Sequence, residues 1–176
     1  MKSTGLLCVI SIMLLSGGYM HAEDSLNLTD IRVGMTSAEF SRTIENAAAD
    51  GQVSKPQKLY GLSGAWTWDF REGRLDWYLW DAYVDEITEN NFNLCLEAAR
   101  RIIRDCTTRL GKPANEETGN LSFRDPFEDH HWGYPVLSAE WATPAVKLRA
   151  GFKFMGSKGE YHLLVSLEAH GPDYEF

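Results

Sequence analysis

The sequence lacks every compact signature that would name a chemistry. No His-Glu-x-x-His pair sets zinc ligands one helical turn apart, and no Asp-x-Asp-x-Asp-Gly loop offers calcium its oxygens. A Gly-x-Ser-x-Gly elbow and a Ser-x-x-Lys pair are also missing, and no glycine-rich loop could cradle a phosphate. Basic residues are few: 17 Lys and Arg stand against 25 Asp and Glu, for a net charge of −8. Such a surface repels phosphate backbones and anionic head groups while favouring basic partners, so nucleic acid is not an expected ligand. No apolar run approaches the roughly twenty residues that a membrane-spanning helix needs.

The longest apolar run lies at the N-terminus, in "MKSTGLLCVISIMLLSGGYMHA". One lysine, about ten apolar residues, a Ser-Gly-Gly break and the small residue Ala22 have the pattern of a secretory signal peptide over residues 1–22. Cys8 sits inside the apolar run without a small residue before it, unlike a lipoprotein acceptor cysteine. The expected product is a periplasmic or secreted protein, residues 23–176, without stable membrane insertion. Its length suits one domain with a single core, or two α+β halves, about 23–88 and 89–176, that share one.

Cysteine is scarce as well, with three in the chain and only Cys95 and Cys106 beyond residue 22. An exported protein with an even count invites a disulfide. On one continuous helix, however, the two positions would stand about 16 Å apart, beyond the roughly 7 Å that a bridge spans. Buried free thiols are the expectation, with a bridge possible only if the helix starts after Cys95.

Hydrophobic spacing then sketches the elements. Thr36 and Glu39 form a capping box, and Phe40, Ile44 and Ala47 continue at helical spacing toward Gly51, predicting a first helix. In "GAWTWDFREGRLDWYLWDAYV", rings alternate with small or polar residues on both sides of a turn, the pattern of a hairpin. "NNFNLCLEAARRIIRDCTTRLGKP" places Cys95, Ala99, Ile102, Cys106 and Leu110 on one stripe of a second helix that ends at Gly111 and Pro113. Three strands follow. "VLSAEWA" turns Leu137, Ala139 and Trp141 to one side. "AVKLRAGFKF" turns Val146, Leu148, Ala150, Phe152 and Phe154 inward against Lys147, Arg149 and Lys153, and "YHLLVSLEAH" alternates likewise and should pair with it. The predicted fold is α+β: an antiparallel sheet with two helices packed on one face, in the order α-β-β-α-β-β-β.

The stretch "IRVGMTSAEF", through Ile31, Gly34, Met35, Thr36 and Glu39, resembles the opening motif of small outer-membrane assembly lipoproteins of the SmpA/OmlA type. The resemblance implies an exported α+β protein, and an envelope-assembly or scaffold role as one alternative. It covers about a tenth of the chain, and the family's lipid-bearing cysteine is missing here. Two helix-then-strand halves are also similar in arrangement to the β-lactamase-inhibitor proteins, in which a sheet presents aromatic and acidic groups to an enzyme.

Two constellations could carry function. The first is "FRDPFEDHHWGYP", where Asp125, Asp129, His130 and His131 are divalent-ion ligand types and would support a metal-dependent hydrolase. Adjacent histidines diverge on an extended chain and nothing elsewhere completes the set, so the favoured reading is a solvated turn with no metal and no cofactor. Glu168 and His170 face the same way and form a second-rank base–orienter candidate. The second constellation is the aromatic and acidic strand around Trp77, Tyr78, Trp80, Asp81, Tyr83 and Asp85. Large rings occupy both faces of that strand, and a sheet roofed on one side leaves the other open, so these six are the expected partner-binding residues. The leading expectation is a non-enzymatic protein that occludes a partner enzyme, as inhibitors and immunity proteins do.

Overall fold

The computed structural model describes residues 31–44, 57–123, 135–157 and 160–176. Within them the chain runs α1 (Ser37–Thr43), β1 (Gln57–Leu59), β2 (Leu62–Arg71), β3 (Arg74–Val84), α2 (Glu89–Leu110), β4 (Asn115–Thr118), β5 (Pro135–Ala142), β6 (Lys147–Ser157) and β7 (Glu160–His170). All seven strands join one antiparallel sheet in the order β1-β2-β3-β7-β6-β5-β4. Each half of the chain therefore supplies a helix and then a meander, and the last strand of each meander, β3 or β7, meets the other at the centre. The α+β expectation holds. Its element order needs two additions, the short edge strands β1 and β4.

Both helices begin as the sequence requires. Thr36 caps α1 and receives the reciprocal bond from Glu39, completing the capping box. Burial does not protect Glu39; its bonds to the Thr36 backbone and hydroxyl hold its carboxyl below the usual carboxylate range. Helix α1 is shorter than its spacing predicts, because Ile44 turns extended and its side chain enters the core; Ala47 and Gly51 lie outside the described residues. Thr88 caps α2, and Gly111 at φ 85° ends it, a conformation that glycine adopts without steric cost.

One face of the sheet holds the core. Trp66 and Trp68 of β2 stand opposite Trp80 and Tyr78 of β3, and those in turn stand opposite Leu167 and Ala169 of β7. Phe40 of α1 packs on Trp68 and Phe70, while Phe92 of α2 packs on Phe152 and Phe154, so both helices lie against this same face. On β3 the pairing slips between Asp69 and Phe70, leaving Asp76 without an opposite number. That bulge turns both Leu75 and Tyr78 inward and leaves Trp77 on the far side. Trp66 and Trp80 are fully buried, although the indole N–H of Trp80, like that of Trp68, has no hydrogen-bond partner among the described residues. Close packing here depends on Gly64: a β-carbon at that position would lie 2.5 Å from the Trp80 ring and from the Asp81 carbonyl.

The second helix buries Cys95, Ala99, Ile102 and Cys106 as its stripe predicts, whereas Leu110 remains partly exposed. Both cysteines are free, and burial pushes each thiol up to about 12. Thiols so shifted are almost entirely protonated near neutral pH and poorly nucleophilic. Among the described residues, no helix is long and apolar enough to cross a membrane.

Candidate functional site: the helix-free face of the sheet

The face opposite the helices is built by the alternate residues of the same strands. On β3 these are Trp77, Leu79, Asp81 and Tyr83; on β7 they are His162, Leu164, Ser166, Glu168 and His170. Four of the six expected binding residues, Trp77, Asp81, Tyr83 and Asp85, lie on this face or at its end. Tyr78 and Trp80 do not. Their side chains are 3% and 0% exposed in the helix-covered core, because strand alternation sends them to the side that both helices roof. They cannot act as contact anchors, and their size serves packing instead.

Cross-strand register gives the open face a shape that no single strand discloses. Ala65, Asp81, Ser166, Gly151, Ser138 and Glu117 stand side by side across six strands. The central positions of this row are small, so it forms the floor of a trough that crosses the strands. Gly151 has no room for more: a β-carbon there would lie 2.7 Å from the Leu137 carbonyl. One bank carries Leu79, Glu168 and Arg149, and the other carries Tyr83, the buried Leu164 and Lys153.

At the Tyr83 end, polar groups hold one another in place. Tyr83, 52% exposed, stands beside the half-buried Asp81 carboxylate, near enough that each shifts the other's titration. Burial raises the Asp81 carboxyl above its ordinary value, and the nearby Tyr83 hydroxyl partly offsets that shift. The Tyr83 phenol is raised by its own burial and then by the neighbouring charge of Asp81. Its ring meets His162 edge-on at 6.1 Å, and His162 Nδ1 lies 2.8 Å from Asp85 Oδ1. His162 therefore ties the ends of β3 and β7 together. Sequence reasoning did not single it out, although its outward place in the β7 alternation was the signal.

The opposite end is closed by the segment Gly171–Phe176. Tyr174 stacks on His170 at 3.6 Å, and Trp77 flanks His170 at 6.0 Å. Phe176 stands edge-on to both His170 and Tyr174 beneath the Arg149 guanidinium, 4.1 Å from its ring centre. Lys147 donates to the Tyr174 carbonyl and Arg149 to Glu140 at 2.7 Å. His170 does pair with Glu168, at 2.6 Å, the second-rank base–orienter candidate. Because His170 is only 7% exposed under Tyr174, that pair is built as a buried anchor for the segment above it.

The segment thus engages the basic groups Lys147 and Arg149, while Asp69, Asp81, Asp85 and Glu86 remain on the β2–β3 side. Among the described residues, what stays accessible is a half-face that carries these carboxylates with Trp77 and Tyr83, shared with the exposed cations Lys58 and Arg71 and bordered by Lys153. Asp125, Asp129, His130 and His131 lie outside the described residues. Among the described residues, no group of three His, Cys, Asp or Glu side chains gathers as a metal site. Comparison of the chain with family models, with curated proteins and with solved structures finds no match in any of the three.

Proposed function

We propose that this is an exported, non-enzymatic binding protein of the inhibitor or immunity type, which occludes a basic partner enzyme with the helix-free face of its sheet. One observation carries the reading: the row Ala65, Asp81, Ser166, Gly151 and Ser138, small at its centre, crosses the sheet with Asp81 within it and the exposed ring of Tyr83 on its bank. A floor of small residues allows a partner's backbone to approach closely. The Asp81 carboxylate and its acidic neighbours would receive lysine or arginine from the partner, and Tyr83, edge-on to His162, would supply an aromatic anchor. Acidic complementarity speeds encounter, while contacts in the trough slow release.

The reading is tested by capture from the envelope fraction of the source cells, followed by titration of the purified partner. The expected result is a one-to-one complex that blocks the partner's activity and is weakened by Tyr83→Ala and by Asp81→Asn. A complex that forms equally well with both variants contradicts it.

A further inference from the structure

A second feature stands apart from the open face. Between the C-terminal end of α2 and the helix-facing side of the sheet lies a cavity of about 370 Å³, within the range of small-molecule sites. Its inner wall is apolar, formed by Ile31, Tyr78, Cys106, Val146 and Leu148. Leu110, which the helical stripe would otherwise bury, hangs over the opening at 37% exposure. Arg32 and Arg109 are the charged residues of the lining, which Val33, Thr143 and Ala145 complete, and no Asp or Glu joins them. Both are exposed, and neither forms a salt bridge among the described residues. In a chain of net charge −8, a cavity that pairs an oily interior with two guanidinium groups and no acid is a local inversion of the surface.

We propose that this cavity binds a single-chain amphiphile with a carboxylate head, the chain lying among Tyr78, Cys106, Val146 and Leu148 and the head held by Arg32 and Arg109. Apolar burial of the chain supplies the drive, and charge selects the head. Guanidinium donors meet a carboxylate in planar, two-bond geometry, whereas a quaternary ammonium head would be repelled. Nothing in the cavity asks for chemistry. The Cys106 thiol, pushed up to about 12 by burial, acts as an apolar wall, and burial likewise pushes the Tyr78 phenol up. This site is independent of the open face and stands or falls separately.

The probe is dodecanoate, titrated calorimetrically into the full mature chain while amide resonances are followed by NMR. The expected result is saturable one-to-one binding, with shifts centred on Val146, Leu148 and Cys106. Dodecyltrimethylammonium should bind at least about tenfold more weakly, and Arg109→Gln and Arg32→Gln should each weaken dodecanoate by roughly tenfold, the scale of one lost charged hydrogen bond. Ala145→Trp, at an exposed position on the rim, should plug the cavity and abolish binding. The Arg variants are surface changes that leave folding intact, which guards against loss of binding through misfolding. Any of three results overturns the proposal: no saturable binding, equal affinity for the two head groups, or shifts confined to another surface. Binding to phosphatidylglycerol vesicles that dodecanoate does not compete away would assign the arginines to a membrane surface and likewise overturn it.

Discussion

Tyr174 lies flat on His170, with ring centroids 3.6 Å apart and planes within 5° of parallel. The contact ties the segment after β7 to the sheet, and His170 is itself fixed by Glu168 at 2.6 Å. Tyr174→Ala should lower stability by about 1 kcal/mol, the scale of one stacked pair. Tyr174→Phe should be close to neutral, since only the ring is used. Urea denaturation of the two variants checks this; equal losses would show that the hydroxyl, not the stack, anchors the segment.

Trp80 and Tyr83 sit three residues apart on β3 and should behave oppositely. Trp80 is fully buried, so Trp80→Ala should cost about 3–5 kcal/mol. Trp80→Phe should cost much less, because it also removes an indole N–H that has no partner among the described residues. Tyr83→Ala should leave stability within about 0.5 kcal/mol yet weaken partner binding by about 2 kcal/mol, as loss of an aromatic anchor does. Paired denaturation and binding measurements on the three variants separate packing from recognition.

Gly64→Ala should destabilise by about 1–3 kcal/mol, through overpacking rather than conformational entropy. Its new methyl group would meet the Trp80 ring and the Asp81 backbone at 2.5 Å, and neither can yield without disturbing the β2–β3 pairing. A thermal melt indistinguishable from wild type would show that Trp80 has room to move.

The Asp81 carboxyl is raised above its ordinary value chiefly by burial. The sign follows from linkage: in the folded state the proton is held more tightly, so ionising Asp81 counts against folding. This penalty is absent below the unfolded value and develops as pH rises through the raised one. Asp81→Asn should therefore stabilise the protein near neutral pH, by no more than about 0.5 kcal/mol once solvent screening is allowed for, and should have no effect at strongly acidic pH. The same variant should bind the partner less well. Stability curves of wild type and variant that run parallel across pH 3–7 would contradict the assignment.

Much of this was legible along the chain. The Thr36–Glu39 capping box, the α2 stripe and the alternation of β5, β6 and β7 all follow from local periodicity, and each is present. What escaped is what depends on partners distant in sequence. Strands β1 and β4 are three and four residues long, and "NEET" is exposed throughout, so neither shows an alternating pattern. The pairing of β3 with β7 is a long-range choice, and only that register brings Asp81, Ser166 and Gly151 into one row. Alternation separated Trp77 from Tyr78 but could not say which side the helices would cover. Placing Tyr78 and Trp80 in the core settles that side and leaves Trp77, Asp81 and Tyr83 outside.

The most direct test of recognition through the open face fills its trough. Ser166 occupies the middle of the floor, half-buried and pointing away from the core, so Ser166→Arg adds bulk and the wrong charge where a basic partner would lie. Titration of the purified partner should show roughly a hundredfold loss of affinity, about 2.8 kcal/mol, while the melting curve of the variant stays close to wild type. Unchanged affinity in a folded Ser166→Arg protein would place the binding surface elsewhere and contradict the account.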